Sequence, residues 1–188
     1  MNQVAAATDH ELMDRSRQGD PAAFATLIER WQGPVSRLVS QLLGPQADVE
    51  DLCQEVFVRV LRARDRYQPS HAFSTWMYRI ALNVARDSRR RQQHRPSVVA
   101  MSQDVPSSAP PAAESMARDE TADTVARALA ELPESLREVL VLKHFGRMSS
   151  SEIAVATNLP LGTVKSRLQA ALKKLRGELR RRGLTDLE

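Results

Sequence analysis

Apolar residues recur at three- and four-residue steps along most of this chain, the spacing of one buried helix face. No stretch alternates long enough to make a strand. Phe24, Leu27, Ile28, Trp31, Val35, Leu38, Val39 and Leu42 form the first such stripe. Asp20-Pro21 predicts its start, a capping carboxylate followed by proline at the first helical position. Gly44-Pro45 predicts its end, and Gly33-Pro34 inside the stripe predicts a kink or a split. A second helix carries Val49, Leu52, Cys53, Val56, Phe57, Val60 and Leu61 on its apolar face, with Glu50, Asp51, Gln54, Glu55, Arg59 and Arg62 opposite. A polar loop, Arg64 to His71, leads to a long third helix from about Ser74 to Arg91, buried through Trp76, Met77, Ile80, Ala81 and Val84.

The pattern then breaks. Residues 96–118 contain Pro96, Pro106, Pro110 and Pro111 among many Ser and Ala, a composition that predicts an unstructured linker. Helical spacing resumes with Val125, Ala126, Leu129 and Leu132, then from Pro133 with Leu136, Val139, Leu140 and Leu142, Gly146 being the expected C-cap. Ser149 and Glu152 make a capping-box pair ahead of Ile153 and Ala154. Asn158-Leu159-Pro160 is a turn, and Gly162-Thr163-Val164-Lys165-Ser166-Arg167-Leu168 opens a further helix. The chain therefore reads as all-α: a helical domain over 10–95, a flexible linker over 96–121 and a smaller helical domain over 122–182.

Charge sharpens this division. Residues 1–95 hold 14 Arg/Lys against 11 Asp/Glu, residues 96–123 hold one against five, and residues 124–188 hold 12 against seven. Two basic blocks flanking an acidic strip suit a polyanionic partner; a solvated surface is the plainer reading of charge alone. No apolar run approaches the roughly 20 residues of a membrane span, so no membrane insertion is expected. Met1 to His10 lacks the basic start and apolar core of a signal peptide. The single cysteine, Cys53, has no internal disulfide partner, which fits a reducing cytoplasm. His10, His71, His94 and His144 are scattered without metal-ligand spacing, and no phosphate loop, dinucleotide fingerprint or nucleophile elbow occurs. No catalytic residue, metal or cofactor is expected, and the chain is not read as an enzyme.

Three surfaces carry the expected function. Two short helices around the 158–160 turn make a helix-turn-helix plan, whose second helix enters the major groove by its N-terminal residues. Lys165 and Arg167 are placed for guanine edges or phosphates, and Thr163 and Ser166 for phosphate oxygens. A helical hairpin with a solvated basic face remains the alternative for that pattern. On the third helix, Arg79, Asn83, Arg86 and Arg90 share a face with Asp87, the arginines suiting phosphates and Asn83 a base edge. Four of the chain's eight aromatics, Tyr67, Phe73, Trp76 and Tyr78, lie beside it. Trp76 reads as core; Tyr67 and His71, in the polar loop, read as contacts to an unstacked base. Asp51, Gln54 and Glu55 form an acidic, amide-bearing strip better suited to a basic protein surface than to DNA.

Asp51-Leu52-Cys53-Gln54-Glu55-Val56-Phe57, Phe73-Ser74-Thr75-Trp76-Met77-Tyr78-Arg79-Ile80-Ala81-Leu82-Asn83, Leu132-Pro133 with Ser151-Glu152-Ile153-Ala154, and Gly162-Thr163-Val164-Lys165-Ser166-Arg167, in this order, resemble an extracytoplasmic-function (ECF) sigma factor of the sigma-70 family. The resemblance covers roughly 10–95 and 122–177 and implies a bacterial, cytoplasmic protein that binds core RNA polymerase and selects promoters. It implies sigma region 2 in the first domain and sigma region 4 in the second. It implies that Asp51, Gln54 and Glu55 dock on the clamp helices of the largest polymerase subunit. Arg79, Asn83, Arg86 and Arg90 would read the upstream part of the −10 element, the loop with Tyr67 and His71 would hold a flipped base, and Thr163 to Gln169 would read the −35 element. The linker would thread near the RNA path. The family usually has arginines just after the Ser-Arg pair, where this chain has Gln169, Ala170 and Ala171. The end of the chain at Glu188 leads us to expect no fused regulatory domain, and the resemblance implies control by a separate anti-sigma protein. The competing reading is an autonomous helix-turn-helix regulator, in which the acidic strip and aromatic loop have no evident role.

Overall fold

The computed structural model describes residues 7–44, 47–94 and 124–183; the expected linker lies outside them. The helices are α1 (Asp9–Arg17), α2 (Pro21–Leu43), α3 (Val49–Ala63), α4 (Phe73–His94), α5 (residues 124–130), α6 (Glu134–His144), α7 (Ser150–Thr157) and α8 (Leu161–Arg181). A 3-10 turn, Arg64–Arg66, follows α3, and no strand occurs among the described residues.

Local chemistry sets the boundaries. The Asp20 carboxylate accepts from the Ala22 and Ala23 amides at 3.0 and 3.2 Å, and Gly44 closes α2 at φ 87. Such a cap contributes about 1 kcal/mol. Pro34 does not split α2, which runs unbroken from Pro21 to Leu43. It removes a single amide donor, while Leu27, Val35, Leu38 and Val39 on both sides of it are fully buried in one core. Helix α1 was not foreseen as an element. It has nine residues and few apolar positions, yet a capping box at Thr8 and Glu11 starts it and Leu12 and Met13 are fully buried.

Helices α1 to α4 pack around Leu27, Leu38, Leu42, Val56, Val60, Met77 and Leu82. Truncating one of these large side chains, for instance Met77→Ala, costs about 2–5 kcal/mol. The same apolar cluster continues into the second half of the chain through Val139, Leu142, Met148, Ile153, Ala156 and Val164. A smaller cluster of Leu129, Leu132, Leu140 and Ala171 ties α5 and α6 to α8. Helix α6 ends at His144 with Phe145 as the cap, one residue before the expected Gly146. Gly146 has another reason to be glycine. A Cβ there would lie 2.6 Å from the Leu142 carbonyl oxygen and 3.3 Å from the Tyr78 ring.

Candidate nucleic-acid and partner interfaces

Helices α7 and α8 form the expected helix-turn-helix. The Ser149 amide donates to Glu152 Oε2 at 2.7 Å, and the Glu152 amide donates to Ser149 Oγ at 3.2 Å, closing the capping box. The Ser149 hydroxyl, donating to Glu152 Oε2 at 2.7 Å, and then the Ser149 amide hold the Glu152 carboxyl below its ordinary range. Asn158 turns the chain at φ 57, a left-handed conformation that asparagine tolerates. Fully buried Ile153 and Val164 lock the two helices together. Pro160 precedes α8, and no side chain caps its first turn. Its leading amides and the positive end of its dipole therefore face outward. Around that end, Lys165, Ser166 and Gln169 are exposed, and Thr163 and Arg167 are half-buried. The Ser166 hydroxyl donates to the Thr163 carbonyl at 3.0 Å, leaving its oxygen free to accept. Ala170 is exposed, whereas Ala171 is fully buried in the small cluster, where an arginine has no room.

The second basic face lies on α4. Arg79, Asn83 and Arg90 are exposed, the first two about one helical turn apart and the last two about two turns apart. Arg86, between them, is engaged. Its Nε and one terminal nitrogen donate to the two carboxylate oxygens of Glu138, both at 2.7 Å. This pairing raises the Arg86 pKa further above its ordinary value. Asp87 accepts from Arg59 at 2.8 Å and from Arg90 at 3.1 Å, and the Arg59 bond holds its carboxyl below the usual range.

The aromatic loop is arranged differently from the expectation. Tyr67 is 2% exposed, its hydroxyl hydrogen-bonds His10 Nδ1, and its ring lies 4.9 Å from Trp76 and 5.7 Å from Phe73. Burial, with Asp14 and Asp9 adding to it, pushes the phenol up to about 12. Tyr67 is therefore part of the packing beneath the loop and does not meet an unstacked base in this arrangement. The polar neighbours Gln68, Pro69 and Ser70 made its position in the sequence look solvent-facing, and the burying partner on α1 lies far away in the chain. His71 is exposed, as expected. It lines an opening of about 220 Å³ with Arg66, Gln68, Thr75, Trp76 and Arg79. Trp76 is only half-buried and presents part of its ring there; the buried Thr75 hydroxyl in the wall has no hydrogen-bond partner. Val155 of α7 closes one side of the opening.

On α3, Asp51 and Gln54 are exposed, while Glu55 is half-buried. Glu55 accepts from Arg91 at 2.9 Å and from Arg59, and these bonds, Arg91 first, hold its carboxyl below the ordinary range. Val58 and Leu61, 44% and 38% exposed, extend the same face. Leu61 was expected on the buried side. At 100° per residue, Asp51, Glu55 and Val58 align within one narrow stripe, and Gln54 and Leu61 fall beside it. The surface is thus acidic at one end and apolar at the other. Val58 falls on the side of the helix opposite Val56 and Val60, and that was the sequence signal for it.

Among the described residues no cluster of three or more His, Cys, Asp or Glu is arranged to hold a metal ion, and no helix is long and apolar enough to cross a membrane.

Comparison with known proteins matches residues 27–95 to Sigma-70 region 2 and residues 122–175 to Sigma-70 region 4. The chain is 36% identical over 174 residues to the ECF RNA polymerase sigma-E factor of Escherichia coli strain K12, covering 86% of this chain and 88% of that protein. It is 32% identical over 173 residues to the RNA polymerase sigma-H factor of Pseudomonas aeruginosa, covering 85% and 88%. Among solved structures, CnrH in complex with the cytosolic domain of CnrY superposes with a TM-score of 0.69 at 29% identity, over 92% of this chain and 97% of that one. The sigma factor RpoE in complex with the anti-sigma factor NepR, from Bartonella quintana, shares the fold, with a TM-score of 0.67 at 19% identity over 84% and 96%.

Proposed function

The chain belongs to the sigma-70 family, in its extracytoplasmic-function group, and from that premise we propose which of its surfaces do the work. It is a sigma factor that binds core RNA polymerase and directs promoter-specific initiation. The observation that carries the assignment of surfaces is their division among three helices. Helix α4 presents Arg79, Asn83 and Arg90, the uncapped start of α8 presents Lys165, Ser166 and Gln169, and α3 presents an acidic and apolar stripe. In this reading the domain over 10–95 docks on polymerase through Asp51, Gln54, Val58 and Leu61 and reads the −10 element through α4. Glu55 adds to that face while clipping α3 to α4. Arg86 and Arg90 bind phosphates, Asn83 offers its amide to a base edge, and an unstacked base enters the opening lined by His71 and Trp76. The domain over 122–182 places α8 in the major groove at the −35 element, with Arg167 and Gln169 beside Lys165.

The absence of arginine at Ala171 then has no bearing on DNA, because that position is core. At exposed Ala170 a DNA contact is missing, and Gln169 is left to read a base edge. The chain itself does no chemistry in this reading; it acts in the cytoplasm, where polymerase is. The likeness to CnrH, solved with the cytosolic domain of CnrY, supports an anti-sigma protein as a further partner. An autonomous operator-binding regulator is the weaker reading, because it leaves the α3 stripe unused.

Run-off transcription with core polymerase on a genomic promoter library tests the proposal. Defined start sites that appear only when the chain is added are the expected result. Unchanged transcription after its addition would refute the function.

A further inference from the structure

The two units meet along a seam that consumes a DNA-reading residue. On one side stand α2 and α4, on the other α6 and α7. Arg86 holds Glu138 by two bonds of 2.7 Å, and Arg89 pairs with Glu134 at 2.8 Å. Arg137 donates to the Leu42 carbonyl, the open C-terminal end of α2, at 3.0 Å. Glu138 is 3% exposed, so its carboxylate has no role toward solvent. Beneath the charges, Tyr78 packs against Gly146, and Val155 covers one side of the opening at His71, Trp76 and Arg79.

A guanidinium fork accepts a carboxylate and a phosphate with the same planar, two-bonded geometry. Arg86 cannot hold both at once. We propose that Glu138 is an internal stand-in for a DNA phosphate: it occupies Arg86 in the closed chain, and DNA contact that includes Arg86 beside the exposed Arg79, Asn83 and Arg90 requires α6 and α7 to leave. The device rests on the reading of α4 as a DNA face. It makes that face weak in the free chain, because apparent affinity falls by the fraction of molecules that are open. A partner that draws the two units apart raises that fraction without touching DNA. The seam is well suited to this. Its buried carboxylate is satisfied by an arginine that exchanges it for a chemically similar ligand, so opening onto DNA leaves Arg86 paired.

The test uses the full chain, with two readouts on each variant: small-angle scattering for compactness, and fluorescence anisotropy with a fluorescein-labelled random-sequence single-stranded DNA 20-mer for binding. Glu138→Gln removes the charge and keeps the shape. It should enlarge the radius of gyration and tighten DNA binding at least about fivefold. Glu131→Gln changes net charge equally but lies outside the seam, pairing with Arg182, and should give neither effect. Adding Arg86→Ala to Glu138→Gln should abolish the gain in affinity. Gly146→Ala, whose new Cβ presses on the Leu142 carbonyl and the Tyr78 ring, should open the seam without altering any charge, and so stands in if Glu138→Gln loses its helical circular dichroism. Unchanged compactness and affinity in both opening variants would overturn the latch while leaving the α4 reading intact. Opening without any gain in DNA affinity would instead remove Arg86 from the DNA face, and the autoinhibitory meaning with it.

Discussion

Helices α4 and α8 carry the two faces proposed to read DNA, and they are held differently. The start of α8 is open: no side chain caps it, and Lys165, Ser166 and Gln169 face solvent. Helix α4 is held on two sides. Arg59, Arg91, Glu55 and Asp87 clip it to α3, and Arg86 clips it to α6 through Glu138. On the face proposed to meet melted DNA, Arg86 is withheld while Arg79, Asn83 and Arg90 stay exposed. A protein that exposed both equally would bind any DNA as a free chain, because cationic surfaces bind phosphate without regard to sequence.

The largest effect should come from the α3 surface proposed to dock on polymerase. Asp51→Lys combined with Val58→Asp should weaken capture of core polymerase by about 2 kcal/mol or more, roughly 30-fold. Both residues are exposed, so thermal stability should stay near that of the parent chain. A pull-down with undiminished capture would take α3 out of the docking assignment. Next in size, Asn83→Ala should cost about 1–3 kcal/mol of discrimination at one promoter position, if its amide makes a two-bonded base contact. Transcription across a promoter base library reads this directly; equal loss at every sequence would make Asn83 a backbone contact. Tyr67→Phe separates packing from reading beneath the same helix. It removes the hydroxyl bonded to His10 and should lower stability by about 1 kcal/mol in thermal unfolding, with promoter preference unchanged.

On the open side of the comparison, Lys165→Ala should weaken DNA binding by a similar factor on all sequences and reduce the salt slope by about 1. A sequence-selective loss would mean that Lys165 reads a base. The smallest effect is that of pH on the α3–α4 clip. Arginine partners hold Glu55 and Asp87 below their ordinary values of 4.5 and 3.8. Their stabilisation is therefore fully present above those values and is lost as pH falls through the depressed ones. Thermal unfolding between pH 6 and 3 should show a decline at the acid end that is smaller in Arg59→Met. An equal decline in both would show that the clip contributes nothing measurable, as exposed pairs often do.

How far the sequence could be read follows from the range of each interaction. The capping pair Ser149–Glu152, the Asp20-Pro21 start and the turn at Asn158 act within four residues, and all three stand where the pattern placed them. The apolar stripes of α2, α3 and α4 were legible because each repeats over several turns. Helix α1 was not, since nine residues with two buried apolar side chains hold too little periodicity. Tyr67 was misjudged because its partner His10 is 57 positions away. Arg86 and Glu138 are 52 apart, and each alone resembles a surface charge. Ala171, one of three positions where the family usually has arginine, lies between Leu129, Leu132 and Leu140, and only that packing shows why it is small. Local chemistry was readable, and contacts that join distant helices needed the fold.

The division between a withheld α4 and an open α8 is tested most directly by a band-shift titration on one cognate promoter fragment with the chain alone, core polymerase alone and the two together. A sequence-selective complex is expected only for the mixture, with the lone chain giving weak, salt-sensitive binding that any DNA competes away. A tight, sequence-selective complex formed by the lone chain would contradict it.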